Sequence, residues 1–248
     1  MAVEVSQSQA LGLLEQVHHE VQPLMERIVN HRFLAALEEG RPSRDVLKVL
    51  AAQQYKIVSH GLRDIALILS RFAQWPSRHR LRQLLEAEFE VREALLDFAS
   101  ELGLDEAALD QAPAILEAQI FSFFESHLAL YGTDAELIAA FHFDAKVWIG
   151  NAARVARALR QHYGLSEKGT RFFDMYAAYL PKDEDTLPFI QNALARREPL
   201  GDCPTCRLDE SAFGPLSEFA ALRIRESVRL LLEAEWYFWE AMARAANL

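Results

Sequence analysis

The sequence predicts an all-α fold, in which about seven or eight helices form a compact bundle around one internal pocket. Apolar residues recur at helical spacing along almost the whole chain, and no alternating run of β-branched residues is long enough to suggest a strand. The predicted connections are short except for residues 198–214. With 248 residues, of which 51% are hydrophobic and 25% charged, the chain can bury one large core, so we expect a single domain over residues 1–248.

Capping residues, glycine and proline mark the helix boundaries in the N-terminal half. Ser43 follows Arg41 and Pro42 and is placed to cap a long helix. Gly40 and Gly103 each end an apolar pattern, and glycine tolerates the left-handed conformation that closes many helices. These signals predict helices over residues 8–30, 31–40, 43–73 and 77–103.

The C-terminal half carries signals of the same kind. Thr133 or Asp134 caps a long helix that Gly164 closes, Ser166 begins the next helix, and Pro181 ends it. Together these signals predict helices over residues 113–132, 133–162, 166–180, 183–197 and 215–248, with a turn-rich segment over 198–214.

The charge of the chain argues against several classes of partner. The formal net charge is −10, and acidic residues are spread over every predicted helix, so a phosphate backbone or an anionic lipid surface would repel the protein. Basic residues cluster only in two short segments, 71–82 and 196–197. Residues 1–10 lack the pattern of a secretory signal, and no apolar run approaches the ~18 residues of a membrane span. We therefore expect a cytoplasmic protein that binds neither nucleic acid nor membranes.

A glutamate points toward the core from the last predicted helix. Glu235 shares a helical face with Leu231, Phe238, Trp239 and Met242. Burial disfavours the charged form of a carboxyl group and raises its pKa, which is how a protein makes an acid or base that works near neutral pH. Glu235 is therefore a candidate general acid/base. The alternative is a structural glutamate that pairs with a buried arginine or with hydroxyl groups.

Further polar side chains share apolar faces in other predicted helices. His142 lies on the apolar stripe of helix 133–162, and Asp144 lies one row over, between Phe141 and Trp148. A lone histidine on such a face is more often structural than functional, but the nearby carboxylate favours a functional role. The same spacing places further polar residues on apolar stripes: Gln54, Glu88, Tyr176 and Tyr179.

The sequence offers few ligands for a metal ion. A di-iron bundle needs a Glu-x-x-His pair on each of two helices, and no such pair occurs at an inward-facing position, although carboxylate ligands alone stay an alternative. The two cysteines, Cys203 and Cys206, have the spacing of a redox pair or of half a zinc site. Zinc needs four ligands, and this segment lacks the strand and helix of a thioredoxin motif, so we interpret them as ordinary thiols.

Three stretches of the chain resemble the TenA and PqqC family. The segment from His31 to Gly40, followed by Leu50-Ala-Ala-Gln-Gln-Tyr55, resembles the family's early motifs. The long helix that ends in Gln161-His-Tyr-Gly164, followed by Phe172-Phe173, resembles its central part. Glu235-Trp-Tyr-Phe-Trp239 is similar to its terminal Glu-x-x-Phe-Trp motif. The resemblance implies the haem-oxygenase-like all-α fold and a homo-oligomer, either a dimer or a tetramer.

The resemblance also implies roles for single residues. In the aminopyrimidine hydrolases of the family, the thiaminase II class, the terminal-helix glutamate is the acid/base, and Glu235 matches it. A pyrimidine-binding Asp follows a Gln in the early helix, where this chain has Gln54; the position best matched to the nucleophilic cysteine holds His142. In related di-iron oxidases, the ligand positions correspond here to Leu84, Val91, Tyr176, Leu180 and Asp183, and only Asp144 keeps a plausible ligand.

We therefore expect an enzyme that binds a small, flat, nitrogen-containing substrate in the bundle core. Its catalytic residues would be Glu235 as general acid/base, with His142 and Tyr176 as a second proton relay or electrophile. The residues expected to bind substrate are Gln54, Asp144, Glu88, Trp148, Tyr179 and Phe238. The alternatives are a ligand-binding or interaction protein without catalysis, and a non-haem iron oxidase; the sequence does not identify a cofactor.

Overall fold

The computed structural model describes residues 7–74, 76–178, 181–195 and 216–248, and all the regular secondary structure in these ranges is helical. The all-α prediction is therefore confirmed. The helices are α1 Gln7–Val29, α2 Arg32–Glu38, α3 Arg44–Arg71, α4 Ser77–Glu101, α5 Glu106–Gln111, α6 Leu116–Tyr131, α7 Asp134–Tyr163, α8 Glu167–Ala177, α9 Asp183–Ala195 and α10 Leu216–Ala245.

The predicted caps form. The hydroxyls of Ser43, Thr133 and Ser166 accept the backbone N–H three residues later, at 3.4, 3.2 and 3.2 Å. Gly164 takes the left-handed conformation, with φ 67°, and ends α7. His31, predicted as the first residue of a helix, instead precedes α2, and its ring Nδ1 accepts the N–H of Phe33 at 3.2 Å. The imidazole of His31 therefore caps α2, in the place of the carboxylate or hydroxyl group that is more usual at this position.

The region 104–115 differs from the prediction, which left it without a helix before residue 113. Asp105 caps the short helix α5 by accepting the N–H of Ala108 at 2.8 Å. α6 begins at Leu116, because the backbone before it is held by another helix. Gln53 on α3 donates to the carbonyl of Pro113 and accepts the N–H of Ile115, both at 3.0 Å.

The packing of the long helices creates the interior of the bundle. α3 packs against α4 and α6, α8 packs against α4 and α7, and α10 packs against α6 and α7. Arg32 and His31 both contact the carboxylate of Glu240 on α10, the arginine through two bonds of 2.6 and 2.7 Å. This contact fastens the start of α2 to the C-terminal helix, which carries Glu235.

Within the described ranges, no helix combines the length and the apolar character needed to cross a bilayer. Cys203 and Cys206, with the whole of the predicted turn-rich segment 198–214, lie outside the described residues.

Candidate active site

A cavity of about 470 Å³ lies inside the bundle, lined by α3, α4, α6, α7, α8, α9 and α10. Every predicted site residue within the described ranges lines it. These residues are Gln54, Glu88, His142, Asp144, Trp148, Tyr176, Glu235 and Phe238. Tyr179, also predicted to bind substrate, lies outside the described residues. Side chains from five helices thus converge on one space, as the apolar stripes predicted.

Glu235 and Asp144 form a pair of carboxyl groups on one wall of the cavity. Glu235 comes from α10 and is 3% exposed, and Asp144 comes from α7. Oε1 of Glu235 accepts a hydrogen bond of 3.1 Å from the indole N–H of Trp239. Oε2 of Glu235 and Oδ1 of Asp144 are buried. The two carboxyl groups also form a hydrogen bond with each other, so the pair shares a proton inside the cavity.

The environment of this pair favours protonation. Burial raises the pKa of Glu235 well above its ordinary value, and the neighbouring Asp144 raises it further. The Trp239 hydrogen bond acts in the opposite direction, because it stabilises the anion. Burial also raises the pKa of Asp144, but a hydrogen bond from Glu235 opposes that rise. Two carboxyl groups that are close together do not both ionise easily, so the pair holds a proton at neutral pH, mainly on Glu235.

A second pair of carboxyl groups, Glu88 on α4 and Glu125 on α6, meets beside Gly61 on α3. A Cβ atom at position 61 would lie 3.4 Å from Oε1 of Glu125 and 3.5 Å from Oε2 of Glu88. Burial raises the pKa of Glu88 to about 7. Burial also raises the pKa of Glu125 well above its ordinary value, and the negative charges of Glu88, Asp64 and Asp144 raise it further. The glycine leaves the space in which these two side chains approach each other.

Sequence reasoning missed Glu125, although a signal was present. Glu125 lies one turn from Phe121 and Leu128 on α6, so it shares an apolar row in the same way as Glu235 does on α10. α6 is apolar on most of its surface, with partly buried aromatic side chains packed against the core, and its inward face is not obvious from sequence. Gly61, a glycine in the middle of α3, was a second signal, because a glycine allows side chains of neighbouring helices to come close to the backbone.

His142 lines the cavity and has one ring nitrogen occupied. Its Nε2 lies 2.8 Å from Oδ1 of Asp183 at the start of α9, and Lys146 reaches the same oxygen at 2.9 Å. Burial and the charge of Lys146 lower the pKa of His142 to about 4. The pKa of Asp183 is also lowered, by its bonds to these two residues, against the effect of burial. At neutral pH a neutral imidazole therefore donates through Nε2 to an ionised Asp183, which leaves Nδ1 as an acceptor.

Aromatic side chains line the cavity beside the Glu235–Asp144 pair. Trp148 makes edge contacts with Tyr176 at 5.6 Å and with Phe238 at 6.5 Å between ring centroids, and it stacks on Trp239 at 5.7 Å. Burial and the nearby carboxyl groups raise the pKa of Tyr176 well above 10, so its hydroxyl keeps its proton. Flat rings of this kind suit an aromatic ligand, and the carboxyl groups beside them can contact its polar edge.

Within the described residues, no group of three His, Cys, Asp or Glu side chains is placed to hold a metal ion. Leu84 and Val91, at two of the positions compared with iron ligands, line the cavity with apolar side chains. The residues described at this site do not fit a di-iron centre.

The chain is similar in sequence to one protein family and in fold to several solved structures. A sequence model of the TENA/THI-4/PQQC family matches residues 18–179. No curated protein matches the chain by sequence.

Among solved structures, a TenA homologue from Pseudomonas syringae pv. tomato is similar, with a TM-score of 0.73, 13% identity and coverage of 93% of this chain and 92% of that one. A domain from Shewanella denitrificans with a haem-oxygenase-like fold has a TM-score of 0.69, 11% identity and coverage of 95% and 94%. A protein from Sulfolobus solfataricus described as a TenA-like thiaminase has a TM-score of 0.60, 16% identity and coverage of 93% and 95%. These likenesses show a shared haem-oxygenase-like fold.

Proposed function

The chain belongs to the TENA/THI-4/PQQC family, and from this premise we propose that it is an enzyme that binds a small nitrogen-heterocyclic substrate in its central cavity. In this proposal Glu235 is the general acid/base. The observation that carries the proposal is the Glu235–Asp144 pair, because both carboxyl groups line the same cavity and share a hydrogen bond there. Two neighbouring carboxyl groups whose surroundings favour different protonation states can act as an acid and a base.

The reaction that this pair supports is hydrolysis of a carbon–nitrogen bond. Glu235, which holds a proton before the reaction, donates it to a leaving amine nitrogen; the quaternary thiazolium nitrogen of thiamin would leave as the neutral ring and take no proton. Asp144 accepts a proton from a water molecule as that water attacks the carbon. The C–N bond breaks, a C–O bond forms, and the proton gained by Asp144 returns to Glu235 for the next cycle. General acid–base steps of this kind typically contribute ~10²- to 10⁴-fold in rate.

The other residues of the cavity have supporting roles in this proposal. Trp148 and Phe238 hold the flat ring of the substrate, and Gln54 on α3 is an amide that can pair with a ring nitrogen or an amino group. Nδ1 of neutral His142 accepts a hydrogen bond from the substrate, and the hydroxyl of Tyr176 donates one to it. The Sulfolobus solfataricus relative is described as a thiaminase, so thiamin and a free aminopyrimidine are the first compounds to examine.

The test is turnover of thiamin and of aminopyrimidine derivatives, followed by mass spectrometry. Glu235→Gln keeps the volume of the side chain and removes proton transfer, so it should lower the rate ~10²- to 10⁴-fold. Glu233→Gln is a matched control, because Glu233 lies on the same helix but pairs with Arg229 and is 40% exposed. Turnover that survives in Glu235→Gln would exclude Glu235 as the acid. Ligand binding without turnover in the parent protein would favour the non-catalytic alternative.

We further propose that the protein is a homo-oligomer that associates through α6. Leu116, Phe123 and Leu130 recur at intervals of seven on this helix and are 66%, 54% and 49% exposed. Large exposed apolar side chains along one helical face are typical of an interface. Light scattering on the parent protein and on Phe123→Lys measures this directly, and a parent protein that is monomeric at micromolar concentration would contradict it.

A further inference from the structure

The Glu88–Glu125 end of the cavity is built unlike the rest of the protein. α3, α4 and α6 bring two carboxyl groups to within 3.4 and 3.5 Å of one point above Gly61. No hydrogen bond within the described residues contributes to the pKa of either carboxyl group. The buried carboxylate of Glu136, by contrast, is paired with Arg223 at 2.8 Å. Two acidic groups without partners at one place are unfavourable unless something else pairs with them.

Among the described residues, this end of the cavity lacks a positive charge. Glu125 is 3% exposed and faces the cavity, and the charges that act on it from Glu88, Asp64 and Asp144 are all negative. Of the described residues that line the same cavity, Arg80 and His142 have basic side chains. Arg80 lies eight residues before Glu88 on α4, about 12 Å along the helix axis. His142 is neutral at pH 7 and bound to Asp183.

The side chains that line this end of the cavity determine which kind of cation can bind there. A metal ion needs three or more ligands around one point, and the described residues contain no such group. The walls next to the two glutamates are apolar, formed by Val58, Leu84 and Phe121. An ammonium group on a hydrocarbon body satisfies both features, because it has three N–H donors for the carboxyl oxygens and its body can contact the apolar walls.

We infer that Glu88 and Glu125 bind the protonated amine of a ligand whose apolar body lies along the cavity. This inference rests on the proposed function, because it adds a basic amine group to the substrate that the same cavity is proposed to bind. It concerns binding alone, so it can be tested apart from turnover. Glu235 acts on the reacting bond, whereas Glu88 and Glu125 select and orient the ligand.

The test compares two probes of nearly equal size, benzylamine and benzyl alcohol, by calorimetry at pH 7 on the full-length protein. Benzylamine should bind at least about tenfold more tightly, which corresponds to about 1.4 kcal/mol. Its binding should also release protons, seen as a dependence of the measured heat on the ionisation enthalpy of the buffer. Glu125→Gln and Glu88→Gln should each bring benzylamine close to benzyl alcohol in affinity.

Glu90→Gln is the matched control, because Glu90 lies two residues from Glu88 on α4 and is exposed. It should leave the preference for the amine unchanged. Glu235→Gln should lose turnover but keep the preference for benzylamine over benzyl alcohol. Turnover and amine binding are therefore tested by separate measurements, and either one can fail without the other. Equal affinity of the parent protein for the two probes would overturn the inference, as would an amine preference that survives in both Glu88→Gln and Glu125→Gln. The comparison on the parent protein needs no variant, so it decides the matter even if a variant does not fold.

Discussion

Trp239 donates its indole N–H to Oε1 of Glu235 over 3.1 Å, one helical turn further along α10. Trp239 is itself held in place, because it is fully buried and stacks on Phe33 at 5.9 Å and on Trp148 at 5.7 Å. The hydrogen bond therefore fixes the direction of the Glu235 carboxyl group relative to Asp144.

The first prediction follows from this contact. Trp239→Phe removes the hydrogen bond that stabilises the Glu235 anion, so the pKa of Glu235 should rise further. Nuclear magnetic resonance of ¹³C-labelled glutamate side chains measures this pKa. Unfolding in urea should show a loss of stability of about 1–3 kcal/mol, because a buried acceptor loses its donor. A pKa of Glu235 that falls or does not change in the variant would contradict the role of Trp239.

The second prediction concerns stability against pH. Glu88, Glu125 and Glu235 have folded-state pKa values above their unfolded values, so the folded state binds more protons and stability falls as pH rises through the folded values. The lowered pKa of His142 acts in the opposite direction, but only between about 4 and its ordinary value of 6.5. Above pH 6.5 the three carboxyl groups therefore determine how the stability changes with pH. The free energy of unfolding should therefore decrease from pH 6.5 to 8.5, by on the order of 1 to 3 kcal/mol.

Glu125→Gln provides the control for this pH dependence. The amide cannot ionise, so the decline in stability above pH 6.5 should be smaller in this variant than in the parent. Chemical denaturation at several pH values measures both curves. If stability instead rises over this range, or if the two curves run parallel, Glu125 does not carry the raised pKa that its surroundings impose.

The third prediction is that His142 does not titrate near neutral pH. Its lowered pKa, about 4, means that its ring resonances should stay constant between pH 5.5 and 8. Lys146→Met removes a positive charge that lowers this pKa, so the pKa of His142 should rise in that variant. Proton resonances of the ring give both values. A transition of His142 near pH 6.5 in the parent protein would exclude the neutral acceptor role of its Nδ1.

The fourth prediction uses the glycine beneath the second carboxyl pair. Gly61→Ala replaces a poor helix former inside α3, and its methyl group has ordinary contact distances, so stability should rise by about 0.5–1 kcal/mol. The same methyl group would lie 3.4 Å from Oε1 of Glu125 and should weaken benzylamine binding severalfold. Gly150→Ala on α7, where the new Cβ meets nothing within 4 Å, should change stability in the same direction but leave binding unaltered. A Gly61→Ala variant with unchanged benzylamine affinity would argue against binding at this position.

The fifth prediction concerns metal content. The positions compared with iron ligands hold apolar side chains at Leu84 and Val91, so protein purified from iron-supplemented cells should contain well under one iron per chain. Elemental analysis measures this. A value close to two irons per chain would restore the oxidase alternative.

Local signals predicted most helices correctly because each end is determined by one or two neighbouring residues, such as the hydroxyl of Ser43 and the left-handed Gly164. α5 was missed because its six residues are too few to show a periodic pattern, and its cap, Asp105, is a common loop residue. α6 was predicted to begin at Pro113, whereas it begins at Leu116, since Gln53 from a distant part of the chain holds the backbone before it.

The sequence predicts which side chains of the candidate site face the interior, but not which of them lie next to each other. Helical spacing shows that Glu235 and Asp144 each face the interior. It contains no information on which residue of α7 lies opposite which residue of α10, because that depends on how the helices cross. The Glu88–Glu125 pair depends in addition on how α3, α4 and α6 pack around Gly61.

The stack of Trp148 on Trp239, with ring planes inclined by 26°, also gives the protein an optical signature. Two indoles at 5.7 Å couple their electronic transitions, so the near-ultraviolet circular dichroism should be dominated by this pair. One indole lines the cavity and the other is bonded to Glu235, so a ligand and a proton each perturb one member of the pair. Occupancy of the cavity can therefore be followed by spectroscopy in the unmodified protein, without a label and before any substrate is known.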